Sequence, residues 1–222
     1  MLFFVLNKLR EGEHDTEFSR TSSNMGPARR CPQCGDIVGL LSWEPPYQGD
    51  LEIYGTGFGD LLKGPSGGLL ITERFAENFK AEGLTGLSGF HPVEVKRVRR
   101  KRRGPKLGPP PTYLYVTPAY GQTALDMERS HILSKKPMEC SWCRYVGPDA
   151  IDGLTLEEGT WTGEDVFRPR GLWGSILVSE RFRRFAGKHA MSHMAMIPIE
   201  NYVKDPLGLL GSPTQSQPPS RK

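Results

Sequence analysis

The sequence predicts an α+β protein of two related halves, each a CxxC knuckle plus a strand–helix–strand unit. A central β-hairpin would join the halves and a metal site of four cysteines would pin them. Three observations predict this. All four cysteines of the 222-residue chain fall in two CxxC pairs, Cys31 with Cys34 and Cys140 with Cys143, 109 positions apart. The segment Gly68-Leu69-Leu70-Ile71-Thr72-Glu73-Arg74-Phe75 returns 107 positions later as Ser175-Ile176-Leu177-Val178-Ser179-Glu180-Arg181-Phe182. His91-Pro92-Val93-Glu94 returns loosely as Ile197-Pro198-Ile199-Glu200, at an offset of 106. Matched order at near-constant spacing reads as an internal duplication, with halves at 1–110 and 111–205 and a tail at 206–222.

The elements follow in order. Met1 to Leu6 is an apolar run that reads as a first strand. Residues 14–30 are small and polar and read as a loop. After the first knuckle, Leu69 to Ile71 is a short apolar run of buried-strand type. Thr72 stands at the N-cap, where its hydroxyl accepts from an orphan helix N–H, and Glu73 puts negative charge in the first turn. Phe75 and Phe79 lie one turn apart on one helix face, and Gly83 supplies the left-handed C′ residue. Phe90 to Val95 is the second strand. The central hairpin rises over 93–98, turns over 104–111 and returns over Thr112 to Val116, with Pro-Pro-Pro marking the loop. After the second knuckle, Ile176 to Val178, Ser179, Glu180, Phe182, Ala186 and the strand Ala195 to Ile199 repeat the pattern. The tail from Ser212 to Lys222 is Ser, Pro and Gln with no apolar anchor, the composition of disorder.

Hydrophobic residues make up 37% of the chain, enough for a core, while Gly 26 and Pro 19 demand many turns. The net charge of +4 is unevenly placed. Lys96 to Lys106 carries eight positive charges, and the rest of the chain is then about −4. No apolar run approaches the roughly 20 residues that span a bilayer, so no membrane partner is expected. Met1 to Leu6 is too short for a signal-peptide core. A cytoplasmic location is expected, where paired cysteines bind metal more often than they form disulfides.

Four cysteines spent as two spaced pairs point to one structural zinc, held by Cys31, Cys34, Cys140 and Cys143. Metal-free thiols, a disulfide or a redox CxxC are the alternatives, and neither pair has the strand-then-helix setting of a thioredoxin-like site. Four sulfur ligands leave no open position for catalysis. His189 and His193 share the i, i+4 spacing of a metal pair, but Glu82 and Gly86 hold the matching places, so a polar helix face explains them. Glu73-Arg74 and Glu180-Arg181 read as capping and ion pairing. No triad, P-loop or paired-acid motif stands out. In the basic run, Arg99, Arg100, Arg102 and Arg103 are candidate partner-binding residues. They suit an acidic protein surface or nucleic acid, the latter with Tyr113 and Tyr115 as bases' stacking platforms.

The N-terminal strand, Cys31-Pro32-Gln33-Cys34-Gly35, the central hairpin, the second CxxC and the apolar-[Val/Ile]-[Ser/Thr]-Glu-Arg-Phe unit together resemble the double-CXXCG proteins, a paralogous family of myxobacteria. The resemblance covers residues 1 to 203. Some members are identified as immunity proteins against lipoprotein toxins exchanged between kin. It implies a cytoplasmic immunity protein, not an enzyme, that carries structural zinc and neutralises a cognate toxin protein by occlusion. A zinc-ribbon-like nucleic-acid binder using the hairpin 96–106 is the alternative. One residue departs from the family pattern: Arg144 stands where the second CxxCG motif has glycine, which predicts an altered second turn.

Overall fold

The computed structural model of the protein describes residues 1–8 and 12–211. The chain runs β1 (Phe3–Lys8), β2 (Thr16–Arg20), β3 (Met25–Arg30), β4 (Ile37–Trp43), β5 (Gln48–Ile53), β6 (Leu61–Lys63), β7 (Leu69–Thr72), α1 (Glu73–Ala81), β8 (Leu87–Arg100) and β9 (Tyr113–Ala124). There follow β10 (Ile132–Leu133), β11 (Ala150–Asp152), β12 (Val166–Arg170), β13 (Leu177–Ser179), α2 (Glu180–Lys188), β14 (Met194–Pro198) and β15 (Val203–Lys204).

The expected α+β class is overturned. Strands hold 41% of the described residues and helix 12%, and two nine-residue helices rest on one curled, half-barrel sheet. The sheet order is β14-β1-β13-β12-β9-β8-β5-β2, with β6 and β7 branching from β9. Two small sheets, β10-β11-β15 and β3-β4, flank it. The polar stretch 14–30 is not a loop but contains β2 and β3, which pair with β5 and β4. Its strands are short and half exposed, so they lack the apolar alternation that reveals a strand. The hairpin register also differs from expectation. Leu87 to Val93 pairs with Tyr113 to Pro118, and the later part of β8 leaves β9 to run parallel to β5. The tail from Ser212 onward lies outside the described residues.

The duplicated segments have matching backbone bonds. Thr72 and Ser179 are the N-caps, accepting from the Phe75 and Phe182 N–H groups at 3.3 and 3.1 Å. Leu69, Leu70, Ile71 and Thr72 face Val116, Tyr115, Leu114 and Tyr113 on β9. Their counterparts Leu177, Val178 and Ser179 face Val5, Phe4 and Phe3 on β1. β1 therefore plays for the second half the part that β9 plays for the first. Each leading strand pairs with the other half's β–α–β segment. The offset drops from 107 to 106 because β8 carries a bulge at Phe90, which has φ 52° and no partner on β9, whereas β14 pairs with β1 without a shift.

The core is layered by strand alternation. Phe4 and Leu6 of β1, Ile71, Val116 and Val178 face the helices, and Phe75, Phe79, Phe182 and Phe185 interlock there with ring centroids 5.3–6.5 Å apart. Val5 and Leu177 face a second core with Leu125 and Ile151. Leu70, Tyr113 and Tyr115 face a third with Trp43 and Leu51.

Candidate metal centre

Each cysteine pair closes a tight turn. Cys31 follows β3, and its carbonyl accepts from Gly35 N–H at 3.0 Å. The Cys140 carbonyl accepts from Arg144 N–H at 2.9 Å. Gly35 and Arg144 are the same position of the motif, and both take left-handed backbone, φ 79° and 54°. The second turn is therefore not altered. Arg144 holds a conformation that favours glycine, and its side chain fastens it there. The guanidinium donates to the Ser141 and Leu125 carbonyls at 3.1 and 2.7 Å and pairs with Glu157 at 2.7 Å.

The two turns meet face to face. Cys31 Sγ lies 3.9 Å from Cys140 Sγ, and Cys34 Sγ lies 3.8 Å from Cys143 Sγ. All four sulfurs are within 4.8 Å of one another. These separations are far beyond a disulfide bond, and all four thiols are free. The four could hold one metal ion between them. Val38, Tyr120, Trp142 and Trp173 pack around the cluster.

The electrostatics favour one anionic sulfur, that of Cys31, while burial pushes the Cys143 thiol up. Burial opposes ionisation of Cys31, but the N–H groups of Cys34 and Gln33, 3.5 and 3.4 Å from its Sγ, outweigh it and bring its thiol down to about 7. The Asp36 N–H favours the Cys34 thiolate, yet burial and the neighbouring sulfurs push that thiol up to about 12. Sulfurs this close cannot all ionise without a cation among them. No family model matches this chain, and no curated protein does.

The remaining sequence candidates lie apart from the sulfurs. His189 Nε2 pairs with Glu82 at 2.9 Å. His193 is buried, its Nδ1 3.0 Å from the Leu61 carbonyl, and burial pulls its pKa below the ordinary value. In the basic run, Arg99 pairs with Asp50 at 3.3 Å and Lys101 with Glu52 at 2.9 Å, both across the parallel β5–β8 contact. Arg100 donates to the carbonyls of Arg102, Pro105 and Gly55. Arg102 and Arg103 are exposed on the turn beyond β8. Tyr113 and Tyr115 are buried, Tyr113 Oη donating to the Gly59 carbonyl at 2.8 Å, so neither ring is open to a base.

Two residues missed in the sequence matter more to the architecture: Asp60 and Asp165. Asp60 accepts from the Thr72 cap hydroxyl at 2.9 Å and from Arg74 at 2.6 Å; Asp165 accepts from Ser179 at 2.7 Å and from Arg181 at 3.2 Å. Asp60 precedes its cap by 12 positions and Asp165 by 14, so the pair escapes the offset of 107. Each carboxylate reaches into the other half, Asp60 to Ser192 N–H at 2.9 Å and Asp165 to Thr85 N–H at 3.0 Å.

Proposed function

We propose that the protein is a zinc-pinned immunity protein, binding a cognate toxin protein by surface occlusion in the cytoplasm. The observation that carries the zinc part is the sulfur geometry. Four thiolates around zinc at the usual bond length of about 2.3 Å stand about 3.8 Å apart, and the paired sulfurs are 3.8 and 3.9 Å apart. Zinc with four thiolates carries a formal charge of about −2. Arg29 and Arg170 flank the cluster, stacked on Tyr120 and Trp142 at 5.3 and 5.2 Å, and offset that charge. Such a site is closed, so the ion ties the halves together and takes no substrate.

The toxin-binding part rests on the motif order shared with the double-CXXCG proteins. Binding in place of catalysis agrees with the closed site. The nucleic-acid alternative is weakened, since Arg99 and Lys101 spend their charge on Asp50 and Glu52 and the tyrosines are buried. Arg102 and Arg103 remain as rim charges that speed encounter with an acidic partner.

The test is co-expression with the product of the adjacent gene. Rescue of growth and co-purification of a stoichiometric complex are expected. A folded, metal-loaded protein that neither rescues nor binds, or one that retains nucleic acid tightly near 0.15 M salt, overturns this function.

A further inference from the structure

The two β-turns that precede the duplicated strands face each other across a cleft of about 1210 Å³. One turn spans 64–68, between β6 and β7; the other spans 171–176, between β12 and β13. Leu61, Leu69 and Ile176 bring the apolar surface of the main core to the cleft. Lys8, Lys63, Arg168 and Lys204 bring positive charge, Lys8 paired with Glu17, and no Asp or Glu lines the cleft itself among the described residues. Lys63 and Arg168 hold equivalent places on β6 and β12, three positions after Asp60 and Asp165. The cleft therefore draws a cation from each half.

Arg168 sits between the turns and donates to a carbonyl on each, Gly67 and Trp173. No carboxylate among the described residues meets it, and burial brings its pKa down to about 10. Ser66 Oγ and Trp173 Nε1, on residues lining the same cleft, are buried without a hydrogen-bond partner among the described residues. A desolvated cation without a counter-ion and orphaned donors are each costly. Apolar walls with a few convergent polar groups characterise a small-molecule site.

We propose that this cleft binds an anionic amphiphile of the fatty-carboxylate class. Its head group lies beside Arg168 and the ammonium groups of Lys63 and Lys204, and its alkyl chain lies over Leu61, Leu69 and Ile176.

Arg168 also holds the two turns together, so the charge is best reversed elsewhere. Lys63 and Lys204 are exposed, and Lys63→Glu with Lys204→Glu leaves the fold intact. Titration of the whole zinc-loaded protein with laurate below its micelle concentration, followed by calorimetry and tryptophan fluorescence, reads binding. One saturable site is expected, weakened at least about tenfold in the double variant through charge repulsion. Dodecyltrimethylammonium, with the same chain and the opposite charge, should bind at least about tenfold more weakly than laurate. Absence of saturable laurate binding, equal affinity for the two amphiphiles, or an unchanged affinity in the double variant overturns the proposal.

Discussion

The Asp60 carboxylate accepts from Ser192 N–H at 2.9 Å, across 132 positions of sequence. It accepts from Thr72 as well, so one acid holds a helix cap of its own half and a backbone turn of the other. Asp165 does the same with Ser179 and Thr85. Removing a cap hydroxyl here costs more than a cap. Thr72→Ala and Ser179→Ala each lose the bond to the helix, about 1 kcal/mol, and leave a buried carboxylate oxygen short of a donor, about 1 kcal/mol or more. Urea unfolding should show about 2 kcal/mol lost in each variant. A loss below about 0.5 kcal/mol would mean that the carboxylates find other donors.

The same acid sets a pH dependence. Burial opposes the Asp60 carboxylate, but its bonds from Ser192, Thr72 and Arg74 outweigh this and hold its pKa below the ordinary 3.8. A carboxylate with a depressed native pKa binds protons more tightly when unfolded. Its stabilisation is complete above the unfolded value and is lost as pH falls through the native one. Wild type should lose stability more steeply below about pH 4 than Asp60→Asn does. Parallel curves for the two proteins would remove Asp60 from the acid response.

Metal analysis of purified protein should give close to one zinc per chain. Replacing Cys34 or Cys143 with Ser, or stripping the metal with a strong chelator, should lower the melting temperature of the whole protein in one transition, because a structural zinc contributes folding energy directly. Metal-free protein that melts no lower would reduce the cluster to four ordinary thiols. Two metals per chain would mean that each pair recruits other ligands.

Backbone strain gives a fourth set of variants. Ala190 has φ 46° where the first half has Gly83, at φ 65°. Ala190→Gly should stabilise by about 1 kcal/mol, the cost of a β-carbon in left-handed backbone. At the knuckle, Arg144→Gly should be more stable than Arg144→Ala by a similar amount, since both lose the guanidinium and only one keeps the strain. Equal stabilities at both sites would show that the turns relax around the β-carbon.

Reversing Arg102 and Arg103 to Glu should slow association with an acidic partner and change its salt dependence, leaving stability within about 0.5 kcal/mol. Stopped-flow association at two salt concentrations reads this. An unchanged on-rate would exclude this turn from the encounter surface.

The parts of the molecule that were legible in sequence are those set by local chemistry. Thr72 and Ser179 announce helix starts, and the spacing within each CxxC announces a sulfur pair. What escaped is non-local. Asp60 and Asp165 lie outside the common offset because the path from Asp165 to its cap is two residues longer than that from Asp60. Phe185 joins the aromatic core from a position that holds Asn78 in the first half, so the repeat concealed it. The charge of Lys96 to Lys106 looked free because its acids, Asp50 and Glu52, lie on a strand nearly fifty positions earlier. The α+β expectation failed for a related reason: the short, half-exposed strands that make the protein mostly β carry little periodicity, while the two helices carry clear caps.

The exchange of leading strands has a consequence for synthesis. β1 is translated well over 150 residues before its neighbours β13 and β14. At about 5–20 residues per second, it waits on the order of 10–30 s with both edges open. β9, by contrast, leaves the ribosome after β7 and β8 and pairs at once. The first β–α–β segment can close during translation, while the second must wait for a strand made long before. Until it does, Phe4 and Leu6 are exposed on an unpaired edge, the condition under which nascent chains associate with one another or with chaperones.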